Sequence, residues 1–128
     1  MPVITRGEFL ESSGAVLIAR VWDEDGVDVT QADISAIAGY AYKLVNGIWT
    51  VISGYNGVSI DPEDVVFNTL QPAPAWDPGG SGYNLRIVVP YTIFDTAGTQ
   101  YRFNHKLTPV SGQQVYVQHQ GNCLGLTT

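Results

Sequence analysis

Gln100-Tyr101-Arg102-Phe103-Asn104-His105-Lys106-Leu107 alternates without a break. Tyr101, Phe103, His105 and Leu107 fall on one side, and Gln100, Arg102, Asn104 and Lys106 fall on the other, which is the period of two that a β-strand imposes on its side chains. One apolar and one polar side mean a half-buried strand, the usual state of an antiparallel sheet. Residues 84–89 repeat the pattern, with Leu85, Ile87 and Val89 set against Asn84, Arg86 and Val88. Ser111-Gly112 turns the chain into a last strand over residues 114–119.

Working back towards the amino end, residues 14–22 (Gly-Ala-Val-Leu-Ile-Ala-Arg-Val-Trp) are rich in β formers and too short for a core helix. Both faces of this strand are apolar, Leu17 and Val21 on one and Val16, Ile18 and Trp22 on the other, so a loop, an arm or a neighbouring subunit is expected to cover the second. Asp23-Glu24-Asp25-Gly26 reverses the chain. Thr30-Gln-Ala-Asp33 has capping-box spacing, predicting one helical turn over residues 32–37. Residues 38–45 place Tyr40, Tyr42 and Leu44 on one side of a strand, and Asn46-Gly47 is a strong hairpin signal leading to a return strand over 48–53. Gly54-Tyr55-Asn56-Gly57 reads as a break, residues 58–60 as a stub, and Asp61-Pro62 as a turn before Val65-Val66-Phe67. Residues 71–81, with three Pro, two adjacent Gly and Trp76, read as a long loop. About seven or eight short strands without a crossover helix predict an all-β, antiparallel β-sandwich over residues 14–120. Residues 1–13 are then an N-terminal arm or first edge strand, and residues 121–128 a C-terminal tail.

Only 14% of the 128 residues are charged, against about 25% in a typical soluble protein, so much of the surface is neutral. A net charge of −6 with no clustered Lys or Arg disfavours nucleic acid. No stretch approaches the roughly 20 apolar residues of a membrane span, and Met-Pro-Val-Ile-Thr-Arg-Gly-Glu lacks the form of a signal peptide. A chain made and kept in a cytoplasm is the expectation. The single Cys123 excludes an internal disulfide and supplies no zinc site by itself.

Several residue groups carry chemistry worth weighing. Asp23, Asp25 and Asp28 around Gly26 offer oxygen ligands to a hard cation such as calcium, or are simply an acidic turn, and the distal Glu of an EF-hand loop is missing. His105 and His119 lie on the apolar sides of their strands, as the start of a metal site or as satisfied core histidines. No Gly-x-Ser-x-Gly occurs, and Cys123 with a histidine is the only other nucleophilic pairing, so no catalytic residue and no cofactor are expected. Trp22, Trp49 and Trp76 with Tyr55 and Tyr83 would suit a sugar-stacking platform, but Trp22 and Trp49 are rather expected to fill the core or an interface. Trp76, in its Pro/Gly-rich loop, reads as a partner anchor. Tyr83, Trp22, Leu124 and Leu126 complete the expected partner-binding set, the last two in the uncharged arm Cys123-Leu-Gly-Leu126.

The stretch Tyr91-Thr-Ile-Phe-Asp-Thr-Ala-Gly98-Thr-Gln-Tyr101-Arg-Phe103 resembles the end of a fibronectin type III domain, without that family's usual Pro ahead of the Gly. The resemblance implies that Tyr101 forms a tyrosine corner, its hydroxyl bonding back to the backbone ahead of the strand. Three further stretches resemble small immunoglobulin-like proteins of tailed bacteriophage virions. They are Arg20-Val-Trp-Asp-Glu-Asp-Gly-Val-Asp-Val-Thr30, Asp64-Val-Val-Phe-Asn-Thr-Leu70 and Gly82-Tyr-Asn-Leu-Arg-Ile-Val-Val-Pro90. That likeness implies an immunoglobulin-like sandwich and a non-enzymatic structural protein of the virion, above all a capsid decoration or cement protein outside the head. A neck, tail or baseplate adaptor, or a carbohydrate-binding module on the virion, are the alternatives. The implied partners are the major capsid protein or another virion protein, and further copies of the chain, a trimer being one form.

Overall fold

The computed structural model describes residues 3–10, 13–71 and 82–125. Among these residues eight strands form two sheets. β1 (Val3–Leu10), β3 (Ile34–Val45), β4 (Ile48–Ile60), β7 (Gln100–Pro109) and β8 (Val115–Leu124) make a five-stranded sheet in the order β1-β8-β7-β3-β4. β2 (Ala15–Ala19), β5 (Val66–Gln71) and β6 (Tyr83–Val89) make a three-stranded sheet in the order β2-β6-β5. All pairs are antiparallel except β1 with β8, which runs parallel from Val3↔Val117 to Leu10↔Leu124. Counted in chain order, β2-β6-β5 are the B-E-D strands and β8-β7-β3 the G-F-C strands of an immunoglobulin sandwich, with β4 added beside C. The chain is therefore an all-β, immunoglobulin-like β-sandwich.

The alternating segments bury the expected sides. Tyr101, Phe103, His105 and Leu107 are fully buried in β7, and Leu85, Ile87 and Val89 face them from β6. Leu17, Ala19, Ile37, Ala41, Phe94 and Val117 close the core between the sheets. Asn46 at φ 51° and Gly47 at φ 79° both take the left-handed region, so the β3–β4 hairpin closes in the two-residue form its twist favours.

Four expectations need correction. The helical turn expected over 32–37 is a 3-10 turn, Gln31–Asp33. Thr30 N and Oγ1 both donate to Asp33 Oδ2, at 2.9 and 3.1 Å, which closes the turn early. Ile34 is already extended, and both Ile34 and Ile37 are buried in β3. The break at 54–57 does not end a strand, because β4 runs on to Ile60 across two register shifts. The chain bulges out opposite Ala41 and returns with Gly57 at φ 78°, held there by Tyr55, whose ring is drawn into the core. Residues 121–124 are not tail. They continue β8, since Cys123 keeps the inward alternation, its N–H donates to the Thr99 carbonyl at 2.8 Å, and β1 pairs along its other edge. Asn84, expected on the polar side, is buried. Residues 1–13 contribute an edge strand, β1, and the loop expected over 71–81 lies, after Gln71 in β5, outside the described residues.

Candidate functional site

Tyr101 occupies the corner that its Gly-Thr-x-Tyr context suggests. The backbone N–H of Thr96 donates to its hydroxyl at 3.0 Å, and the hydroxyl donates to Asp95 Oδ1 at 3.1 Å. Lys43 Nζ, 3.0 Å from the same oxygen, and the Thr96 hydroxyl hold the Asp95 carboxyl below its ordinary range. In antibody domains the position two residues after this tyrosine is the second cysteine of the inter-sheet disulfide. Here it is Phe103, packed against Phe94 and Tyr55 with centroids 5.6 and 5.7 Å apart.

His105 and His119 sit deep in this core on adjacent strands. Tyr55 Oη lies 2.8 Å from His105 Nε2, and His119 Nε2 lies 2.9 Å from the Ile18 carbonyl of the opposite sheet, to which it donates. Nδ1 of both rings is buried without a hydrogen-bond partner. Burial, reinforced by the neighbouring His119, pushes His105 down to about 3; burial also lowers His119 and raises the Tyr55 phenol to about 12. Both imidazoles are thus neutral structural groups. Gly39 makes room for the Tyr55 and His105 rings, since a Cβ there would stand 2.7 Å from the first and 3.1 Å from the second. Among the described residues no group of three or more His, Cys, Asp or Glu is placed to hold a metal ion.

At the end of the sandwich where antibody domains carry their binding loops, the β2–β3 and β7–β8 connections frame an open cavity of about 340 Å³. Asp23, Glu24, Asp25 and Asp33 line one wall, and Ser111 and Gln113 the other. The acidic turn is internally satisfied: Asp23 Oδ1 accepts from the N–H groups of Asp25 and Val27, both at 2.9 Å. Asp28 is bound by Arg20 at 3.0 and 3.2 Å. Asp23, Asp25 and Asp28 therefore do not converge as a ligand set. Sequence reasoning missed Asn84, which organises this end. Its Oδ1 accepts from Val21 N at 2.7 Å, and its Nδ2 donates to the carbonyls of Val21 and Val29 at 2.8 and 3.0 Å. The only sequence cue was an Asn in a strand otherwise built from apolar residues and one Arg.

The expected partner residues do not gather into one patch. Trp22 is half-buried and paired by backbone with Asp28, and Tyr83 is half-buried against Phe67 at 5.8 Å, both at the end bearing the cavity. Leu124, 46% exposed, terminates β8 at the other end, beside the Gly98 turn. Trp76 and Leu126 lie outside the described residues. Two broad faces stand out instead. On the three-stranded sheet Val16 and Val88 are cross-strand neighbours, 53% and 59% exposed, with Ile18 half-buried beside them and Tyr91 62% exposed beyond the end of β6. On the five-stranded sheet the outward side carries Tyr40, Tyr42 and Trp49 among amides and two cations, with Arg102 stacked 4.0 Å over the Trp49 ring. Trp49 thus belongs to a surface and not to the core.

Fold and surfaces together define an immunoglobulin-like sandwich that presents two unlike sheet faces and one acidic loop end. No protein-family model matches the chain, and no curated protein matches it in sequence. No helix among the described residues is long and apolar enough to cross a membrane.

Proposed function

We propose that this chain is a non-enzymatic structural protein of a phage virion, a decoration or cement protein that docks on the outside of the head. The observation that carries the reading is an exposed apolar pair on the three-stranded sheet, where Val16 and Val88 face each other across the β2–β6 ladder and the half-buried Ile18, with Arg86 opposite it, extends the strip. A monomeric domain gains nothing from leaving a cross-strand valine pair in water, and contiguous exposed apolar surface marks a contact site. The likeness of residues 20–30, 64–70 and 82–90 to virion proteins supplies the partner, a shell subunit. The role is mass action: a ligand that binds only the assembled shell stabilises it in proportion to its binding free energy. The buried, neutral histidines and the buried Cys123 are consistent with a domain that does no chemistry. The test is the copy number of the chain in purified particles, by quantitative mass spectrometry against the most abundant shell protein. A ratio near that of the shell, or a third of it, supports decoration. A few copies would move the chain to the neck or tail, and none would remove the virion reading.

A further inference from the structure

The outward side of the five-stranded sheet is an array ordered before any ligand arrives. Register sets Gln118, Asn104, Tyr40 and Asn56 in one row across β8, β7, β3 and β4, and Gln120, Arg102, Tyr42 and Val51 in the next. Directly opposed residues share a face, so each row is a line of neighbouring side chains. They are tied to one another. Gln118 Nε2 donates to Asn104 Oδ1 at 2.9 Å, and Arg102 donates from Nε and Nη2 to Gln120 Oε1 at 3.1 and 3.0 Å. Such bonds settle side-chain rotamers in advance and lower the ordering cost of binding. Amides and phenols supply donors and acceptors together, which matches a ligand made of hydroxyl groups, and the half-buried Tyr40 and Tyr42 add ring faces.

Charge selects among such ligands. The outward positions of β8, β7, β3 and β4 hold no Asp or Glu, although the chain has 12 acidic residues against 6 Lys and Arg. Among the described residues, the ion pairs are Arg20 with Asp28 and Lys43 with Asp95, both away from this face. Among the described residues, Arg102 and Lys106 carry their charge without a carboxylate partner, so an anionic ligand is favoured here and repelled at the acidic loop end. We infer that this face binds an acidic polysaccharide, its hydroxyl groups taken by Asn104, Gln118 and the tyrosines and its carboxylates by Arg102 and Lys106. A row of four strands spans about 15 Å, room for a short run of sugars. The inference stands apart from docking on a shell, which uses the other sheet.

The experiment is a titration of the full chain with polygalacturonate and alginate oligomers, followed by calorimetry and by backbone chemical shifts, with methyl-esterified polygalacturonate as the uncharged control. Saturable binding to an acidic polymer is expected, weakened by salt, with shifts confined to β3, β7 and β8. The double variant Arg102→Gln/Lys106→Gln should lose about tenfold or more in affinity, while Arg86→Gln, on the exposed side of the three-stranded sheet, should change nothing. Melting curves of both variants confirm that they are folded. Absence of binding to either acidic polymer at millimolar concentration overturns the inference, as does equal binding of the ester or an equal loss with Arg86→Gln. So does a dimer in sedimentation that Tyr40→Arg dissociates, because a second copy would then own the face. Particle binding that persists in the double variant keeps this outcome separate from that of the shell-docking reading.

Discussion

Mild acid should loosen this domain through His105. The folded imidazole is held down to about 3 by burial, whereas in the unfolded chain it titrates near its ordinary value of 6.5. Between those values the unfolded chain binds more protons, so stability rises with pH. The contribution is complete above about 6.5 and is lost progressively as pH falls towards 3. With 1.36 kcal/mol per unit, lowering pH from 7.5 to 5.0 removes about 2 kcal/mol through His105 alone. His119, lowered by burial as well, acts in the same direction. The Asp95 carboxyl, held below its ordinary range by Lys43 and the Thr96 hydroxyl, stays ionised throughout that window. With a urea slope of about 1–3 kcal/mol per molar, the unfolding midpoint should fall by roughly 1 M. The assay is urea unfolding by tryptophan fluorescence at both pH values, for the native chain and for His105→Gln. The variant will be less stable at every pH, so the readout is the difference between midpoints. An identical pH difference in the two proteins would refute the reasoning, because the titrating group would then lie elsewhere.

Gly39→Ala should destabilise by about 1–3 kcal/mol in urea unfolding, since its methyl enters the space of the Tyr55 and His105 rings. Asn84→Ala strands the N–H of Val21 and the carbonyl of Val29 in the interior, the Val21 carbonyl still accepting from Val29 N–H, and should cost roughly 2–4 kcal/mol by the same measurement. Tyr101→Phe keeps the ring and deletes the corner bonds to Thr96 and Asp95; a loss of about 1–2 kcal/mol is expected, seen as a lower melting temperature.

Strands with one wet face announced themselves. The alternation of residues 101–107 and 85–89 fixed their inward sides, and Asn46-Gly47 fixed a hairpin, because both signals are local. The misread segments depend on distant partners. Gly54 and Gly57 look like a break until Tyr55 is seen filling the space that Gly39 leaves across the sheet. Residues 121–124 look like a tail until β1 arrives from the far end of the chain to pair with them. Asn84 obeys strand parity in the sequence, but its position brings it against two segments more than fifty residues away. The corner tyrosine was legible because turn and tyrosine are contiguous. The array on the five-stranded sheet was not: alternation says that Tyr40, Arg102 and Gln118 point outward, and only the register between strands makes them neighbours. Anchors picked singly, Trp22, Tyr83 and Leu124, consequently fell at two ends of the molecule.

The parallel β1–β8 pair decides how the domain answers to force. Tension applied through residues 3 and 124 pulls these strands in opposite directions along their length, which loads the whole ladder from Val3↔Val117 to Leu10↔Leu124 in shear. An antiparallel terminal pair would instead peel open one rung at a time. Rupture here requires many backbone bonds to fail together, a high barrier to forced unfolding that is independent of the modest equilibrium worth of each bond. A single-molecule pull should therefore show one tall, brittle peak, and a proline placed within β1 should lower it far more than it lowers the melting temperature.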